Sequence, residues 1–334
     1  MRQNLLGRTG LRISALSLGT MTFGGKGGMW DAIGGLDERA SGELVARALD
    51  AGVTCFDTAD AYAGGESETI LGKTLAGRRD AVVIATKAAF PMGPGPNQRG
   101  LSRRHLIEAC EASLRRLGTD RIDLYQVHTP DRATPLDETM RALDDLVRWG
   151  KILHVGVSNH AAWQVVKANG IAAAQHGARF EAAQMLYNPV QRDIEREFVP
   201  MLQDQQVGLL VWSPLASGAL TGKFTREGKP PADSRRASFE IDQLDVARLN
   251  RVLDAGRPIA AAHGCSLAQV MLAWLLAQEV VTSVIIGAKR IDQLEDNLKA
   301  AELTLSPAEV GAISAAGALP EEYPGNYIRK FAGI

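Results

Sequence analysis

Eight short apolar runs, each followed by a stretch with helical spacing, constrain this chain more than any other feature. The runs fall at residues 15–18, 53–57, 82–87, 122–128, 152–157, 182–187, 207–212 and 284–286. Apolar runs of strand length without polar alternation are strands buried on both faces, which is the signature of a parallel sheet covered by helices. The intervening segments carry helix signals. In residues 103–117, Leu106, Cys110, Leu114 and Leu117 form one apolar stripe, and Ser102 stands at the N-cap position. Thr134-Pro135 predicts a cap and a first-turn proline. Ser266 with Gln269 and Ser306 with Glu309 predict two capping boxes.

Strand–helix alternation repeated eight times predicts closure into a (β/α)8 TIM barrel. The competing architecture, a doubly wound open sheet, announces a dinucleotide with GxGxxG after its first strand. Here the first strand is followed by Gly19-Thr20-Met21-Thr22-Phe23-Gly24, which does not match. A single domain over residues 1–334 is expected. Residues 1–14 form a hairpin cap turning at Arg8-Thr9-Gly10, 15–300 the barrel, and 301–334 a C-terminal helix and tail. Two connections are long: 24–36, glycine-rich and without helical period, and 217–245. Both follow strand C-termini, the face on which barrels build active sites.

The formal net charge is −1, with no basic run, which argues against nucleic acid or an anionic membrane as partner. Cys55, Cys110 and Cys265 are far apart, odd in number and set among apolar residues; they read as buried thiols in a reducing compartment. The N-terminus lacks the apolar core of a signal peptide, and no run reaches the ~18 apolar residues of a membrane span. A cytoplasmic protein is the expectation. The histidines show no metal-binding spacing, so no metal is expected; His154 and His160 read as structural.

The chemistry concentrates at strand ends. Asp57 closes one apolar run, Lys87 another, His128 a third, and Tyr62 lies five residues beyond Asp57 in a loop. A charged residue inside a barrel is costly unless paired. A buried Asp–Lys pair needs neither a phenol nor an imidazole, so the set of four points to proton transfer. A tyrosine ordinarily ionises near pH 10, too high for efficient exchange at neutrality. An ammonium at roughly 4 Å, in an effective dielectric of about 20, favours the phenolate by about 4 kcal/mol at most. Asp57 would hold Lys87 in place and charged, and His128 would orient a carbonyl oxygen.

These residues lie in FDTADAYAGGESE, IATK and DLYQVHTPD, followed by VGVSNH, AAQMLYNPVQRD, WSPLASGALTGKF and IIGAKRIDQLEDN. Over nearly its full length the chain resembles the aldo-keto reductase superfamily, in particular its bacterial aryl-alcohol-dehydrogenase-like branch, which is also similar to potassium-channel β subunits. The resemblance implies an NADP(H)-dependent carbonyl reductase or alcohol dehydrogenase with Tyr62 as general acid, tuned by Lys87 and Asp57, and His128 orienting the substrate. It implies nicotinamide–ribose contacts at Gly19, Thr20 and Met21, and carboxamide contacts at Ser158, Asn159 and Gln184. Trp212 would stack on the nicotinamide ring. Ser213, Leu215, Ser217, Gly218 and Leu220 would grip the pyrophosphate, and Gly287, Lys289, Arg290, Gln293, Asp296 and Asn297 the adenosine end. Asp296 stands where many relatives carry glutamate. Lys289 and Arg290 offer charge-assisted hydrogen bonds to a 2′-phosphate, hence NADP(H).

The substrate is expected to be a small carbonyl or alcohol, aromatic or sugar-like. Phe23, Met29, Trp30, Phe90 and Met92 would line the mouth, and Tyr323 and Tyr327 would close it from the tail. The alternatives are an NADP(H)-binding redox-sensing or regulatory subunit with slow turnover, and a barrel isomerase or lyase without nicotinamide. Gly72-Lys73-Thr74 imitates a P-loop end, but Ser67 occupies the required glycine and the segment reads as helix. Gly156-Val157-Ser158 lacks the second glycine of a nucleophile elbow. The assembly state is left open.

Overall fold

The computed structural model describes all residues except 26, 28, 233, 234, 239–243, 333 and 334, with only the backbone described at 31, 235, 238 and 329. Parts of both long connections, 24–36 and 217–245, thus lie outside the described residues. Strands β1 (Gln3–Leu5) and β2 (Arg12–Ser14) pair antiparallel as a hairpin. Eight parallel strands then close a barrel: β3 (Leu16–Gly19), β4 (Cys55–Asp57), β5 (Val83–Ala88), β6 (Ile122–Val127), β7 (Ile152–Ser158), β8 (Phe180–Leu186), β9 (Gly208–Trp212) and β10 (Val281–Ile286), with β10 pairing both β9 and β3. All eight expected strands are present, with ends shifted by up to three residues.

Before β4 come α1 (Met29–Ile33) and α2 (Glu38–Asp50); α3 (Glu66–Thr74), α4 (Arg103–Leu117), α5 (Leu136–Arg148) and α6 (Ala162–Ala174) then separate successive strands. The series continues with α7 (Phe198–Gln205), α8 (Arg235–Ser238), α9 (Val246–His263), α10 (Leu267–Leu276), α11 (Ile291–Leu298), α12 (Pro307–Ala316) and α13 (Gly325–Ala332). Among the described residues no single helix is long and apolar enough to cross a membrane.

The core has two parts. The larger lies between the strands and the helices. The smaller fills the barrel's N-terminal end, where Leu6 and Ile13 of the hairpin, both fully buried, meet Cys55, Val83, Leu124 and Leu210. Burying each of those two hairpin side chains contributes roughly 1.5–3 kcal/mol. With that end plugged, the strand C-termini and the loops that follow them form the opposite face of the barrel.

Helix ends follow the sequence signals in most places. Ser102 Oγ accepts from the His105 N–H and Gly118, in the left-handed region at φ 62°, ends α4. Ser306 and Glu309 form the expected capping box. Three expectations need correction. Ser266 accepts from the Gln269 N–H, but the Gln269 amide donates to Asp296 and only half of that box forms. The Thr134 hydroxyl donates to Asp131, leaving Pro135 at the cap position without a side-chain bond. The glycine-rich connection holds a one-turn helix, α1, packed against α8 of the other long connection; its period is too short to register in sequence. The thiols of Cys55 and Cys110 are sealed in the core and pushed up by burial to about 12, whereas Cys265 is only partly buried.

Gly72, the P-loop imitator, lies within α3 as expected. A Cβ there would meet the Leu117 carbonyl oxygen at 2.4 Å, so glycine is what lets α3 approach α4. Gly72→Ala is therefore expected to cost about 1–3 kcal/mol of stability in urea unfolding, the usual range for overpacking, and α3 would be driven off α4.

Candidate active site

The barrel delivers the site residues by register. Asp57 is the last residue of β4, Lys87 is the penultimate residue of β5, and His128 follows β6 directly. Gly19 pairs with Asp57, Asp57 with Ala85, Lys87 with Gln126, and Ser158 with Gln184, so polar side chains from five strands stand at one level of the barrel.

At that level Lys87 Nζ, fully buried, donates to Asp57 Oδ1 at 2.5 Å, to the Thr58 carbonyl at 2.8 Å and to the Tyr62 hydroxyl at 3.3 Å. The second Asp57 oxygen accepts from Gln184 Nε2 at 2.8 Å and Gln126 Nε2 at 3.2 Å. Burial works against the Lys87 charge, but Asp57 and Tyr62 outweigh it and hold the ammonium above its ordinary value. Tyr62 reaches the lysine because its loop turns sharply: Ala63, Gly64 and Gly65 have φ of 52°, 63° and 95° in succession. Two of the three are glycines, which take this conformation at no steric cost.

The His128 ring meets Tyr62 edge-on at 5.8 Å and Phe90 at 4.7 Å between centroids. Burial, and secondarily Lys87, hold its pKa well below the usual histidine range. The imidazole is therefore neutral at working pH. Its Nδ1 is sealed and without a partner among the described residues, which leaves Nε2 for a ligand oxygen. A phenol, an ammonium and a neutral imidazole converging on one point can move a proton to or from a carbonyl or alcohol oxygen.

Other expected residues surround this centre. Ser158 Oγ donates to the Gln184 carbonyl, and Asn159 Nδ2 donates to the His128 carbonyl and to Ser158 Oγ. Trp212 is half-buried and donates Nε1 to Asn159 Oδ1 at 3.1 Å, which fixes an indole face at the barrel mouth. Beyond β9 the chain turns through Ser213, Ala216, Ser217 and Gly218, all at positive φ; Leu215 is half-buried there. Asn297 donates to the Gly287 carbonyl, and Gln293 accepts from the Lys289 N–H. Arg290 pairs with Asp292, and Lys289 Nζ donates to the Ala32 carbonyl of α1. Asp296 has both oxygens occupied, by Ser266 and Gln269.

Some side chains are not free to act as expected. Thr20 is fully buried, its hydroxyl held by the Asp57 carbonyl and Ser67, and Leu220 is fully buried as well. The backbone N–H groups of both are also taken, by the Asp57 and Leu215 carbonyls. Gly19 is explained by packing: a Cβ there would lie 2.8 Å from Ile285. Met21 is half-buried beside it. Phe23 is fully buried in the main core and does not line the mouth, a correction whose reason is its bridge to Leu36, which folds the ring inward. Phe90 is 40% exposed beside His128, and Trp30 packs against Gly25 and near Ala63, next to the Tyr62 turn. Tyr323 is 79% exposed and its ring neighbour is Tyr327. Sequence reasoning missed Gln126; the one polar residue between Leu124 and Val127 was the available signal.

Residues 15–318 match the family model described as the aldo/keto reductase family. The chain is 38% identical to a probable voltage-gated potassium channel subunit beta of Arabidopsis thaliana, over 91% of this chain and 92% of that protein. It is 39% identical to an uncharacterized oxidoreductase of Bacillus subtilis, over 91% and 92%. It is 35% identical to the versiconal hemiacetal acetate reductase of Aspergillus parasiticus, over 91% and 94%.

Two outcomes follow from the geometry. Lys87→Met leaves Asp57 charged and unpaired in a dry interior, and should destabilise by about 3–5 kcal/mol in urea unfolding; adding Asp57→Asn should recover most of the loss. His128, with its folded pKa depressed, contributes stability that is full above the unfolded value near 6.5 and falls as pH drops toward the folded one. His128→Gln should thus flatten the loss of stability measured between about pH 6.5 and 4.5.

Proposed function

Because the chain belongs to the aldo/keto reductase family, we propose that it is an NADP(H)-dependent oxidoreductase that reduces small aldehydes or ketones, or oxidises the corresponding alcohols, with Tyr62 as the proton-transferring group. The observation that carries this reading is the Tyr62 hydroxyl 3.3 Å from a buried, charged Lys87 with a neutral His128 beside it.

The residues fit a nicotinamide dinucleotide. The indole face of Trp212 is pinned by Asn159 and stands at the mouth near Ser158 and Gln184, whose neighbourhood suits a carboxamide. The turn of positive φ at Ala216, Ser217 and Gly218 holds its own N–H groups on Ser213 and Leu215, and a Cβ on Gly218 would meet nothing within 4 Å, which leaves space for a pyrophosphate beside it. Lys289 and Arg290 are exposed at the start of α11, and a 2′-phosphate there would compete with Ala32 and Asp292 for their donors; this supports NADP(H) over NAD(H). When bound, the nicotinamide supplies the hydride.

The chain's own residues supply the rest. His128 donates a hydrogen bond to the carbonyl oxygen and fixes its direction. Tyr62 gives that oxygen its proton, and Lys87 stabilises the phenolate left behind. Asp57 keeps Lys87 charged through the cycle. Phe90 and Trp30 border the point where the carbonyl carbon would sit, and this supports a flat or ring-bearing substrate. A second reading, an NADP(H)-binding regulatory subunit with slow turnover, draws support from the relative named as a potassium channel subunit beta. Single-turnover oxidation of bound NADPH by a carbonyl far faster than steady-state turnover would favour it.

Tyr62→Phe is expected to keep NADPH binding, read as quenching of Trp212 fluorescence, and to lose turnover by at least ~100-fold. Turnover that survives the substitution would place the proton source elsewhere.

A further inference from the structure

Asp60 lies two residues before Tyr62, and its backbone N–H donates to the Lys87 carbonyl at 3.0 Å. It is fully buried, and neither carboxyl oxygen has a hydrogen-bond partner of good geometry among the described residues; the adjacent Ala61 N–H, Arg116 and Lys87 offset only part of the effect of burial. The charged and titratable groups that face it come from four elements. From α3 comes Glu68, fully buried, accepting from Thr86 Oγ1 at 2.5 Å and from Arg116 Nε at 2.6 Å. From α4 comes Arg116, committed to that pair. From β5 comes Lys87, committed to Asp57, Thr58 and Tyr62. From β6 comes Tyr125, whose hydroxyl donates to the Leu106 carbonyl. Every cation near Asp60 is thus already paired.

We infer that Asp60 is a protonated carboxylic acid at neutral pH and a positioning residue for Tyr62: once ionised, it holds the Lys87 charge more tightly and opposes ionisation of the phenol. An unpaired carboxylate in a dry site costs far more than the neutral acid. Burial first, and then the Glu68 carboxylate, push Asp60 up to about 8. Asp57, three residues earlier, is the contrast, with Lys87, Gln126 and Gln184 all donating to it. Ionisation of Asp60 would therefore set in as the medium turns alkaline, and would extend the range over which Tyr62 keeps its proton. The effect on turnover rests on the reductase reading; the protonation of Asp60 and its coupling to Tyr62 do not.

The test uses the whole protein in three measurements. Infrared spectra with isotope-labelled aspartate should show a protonated-acid carbonyl stretch at pH 6.5 that disappears by pH 9.5 and is absent in Asp60→Asn. The ultraviolet titration of Tyr62, isolated by subtracting Tyr62→Phe, should fall at lower pH in the Asp60→Asn background by about half a unit or more. Should Asp60→Asn fail to fold, Glu68→Gln serves: it frees Arg116, and the acid band should be lost at lower pH. Asp60, with its folded pKa raised, contributes stability that is full below about pH 4 and lost as pH rises toward 8. Asp60→Asn should therefore gain on wild type in melting temperature by a few degrees between pH 5 and 9. No acid band at pH 6.5, or an unmoved Tyr62 titration, overturns the inference. If both behave as expected while no carbonyl substrate turns over, the inference stands and the reductase reading falls.

Discussion

The Asp57–Lys87 ion pair is the constraint around which the rest of the molecule is arranged. Two opposite charges sit sealed from solvent, 2.5 Å apart. Such a pair holds only where every remaining donor and acceptor is satisfied, because desolvation otherwise exceeds the attraction. Here Gln126 and Gln184 take the free carboxylate oxygen, while the Thr58 carbonyl and the Tyr62 hydroxyl take the remaining ammonium protons. The partners come from β4, β5, β6 and β8, so the pair exists only in the closed barrel. The phenol is drawn into the network as the final acceptor for the ammonium, which under the proposed function is also what makes it a proton donor to a ligand.

The fold places this network toward the end of the barrel where the strands finish. The hairpin seals the N-terminal end with Leu6 and Ile13, and parallel strands direct all their C-termini to the other end. Loops there carry Tyr62, Phe90, Asn159 and the turn after Trp212. The close packing of α3 on α4, allowed by Gly72, brings Arg116 to Glu68 behind the Tyr62 loop. That second ion pair consumes the arginine and leaves Asp60 without one. Two aspartates in one short loop region thereby meet opposite environments, one charged and saturated, the other sealed and unpartnered.

Most of the architecture was legible in the chain because burial on both faces writes an unbroken apolar run, and eight such runs with helical spacing between them admit few closures. The four central residues were legible for a related reason: Asp57, Lys87 and His128 interrupt apolar runs at their ends, where a charge has no structural excuse. Gln126 was overlooked because an uncharged amide inside a run looks like a tolerated defect. Phe23 was misplaced because a loop aromatic has no periodicity to say which way it faces. Thr134 was assigned to a cap because a hydroxyl before Pro135 fits that role, but the Asp131 carboxylate three residues away is the stronger acceptor.

The sequence by itself determined the eight barrel strands and the main helices between them, the family to which the chain belongs, and which titratable residues stand at strand ends, since each of these is written in local pattern and spacing. Tertiary structure alone decided who meets whom: that Lys87 divides its protons among Asp57, Thr58 and Tyr62, that Asp296 is taken by Ser266 and Gln269, and that the Asp60 carboxyl receives no partner among the described residues. Those outcomes depend on contacts between residues tens of positions apart. Charge states in a dry interior follow from such contacts and not from residue type.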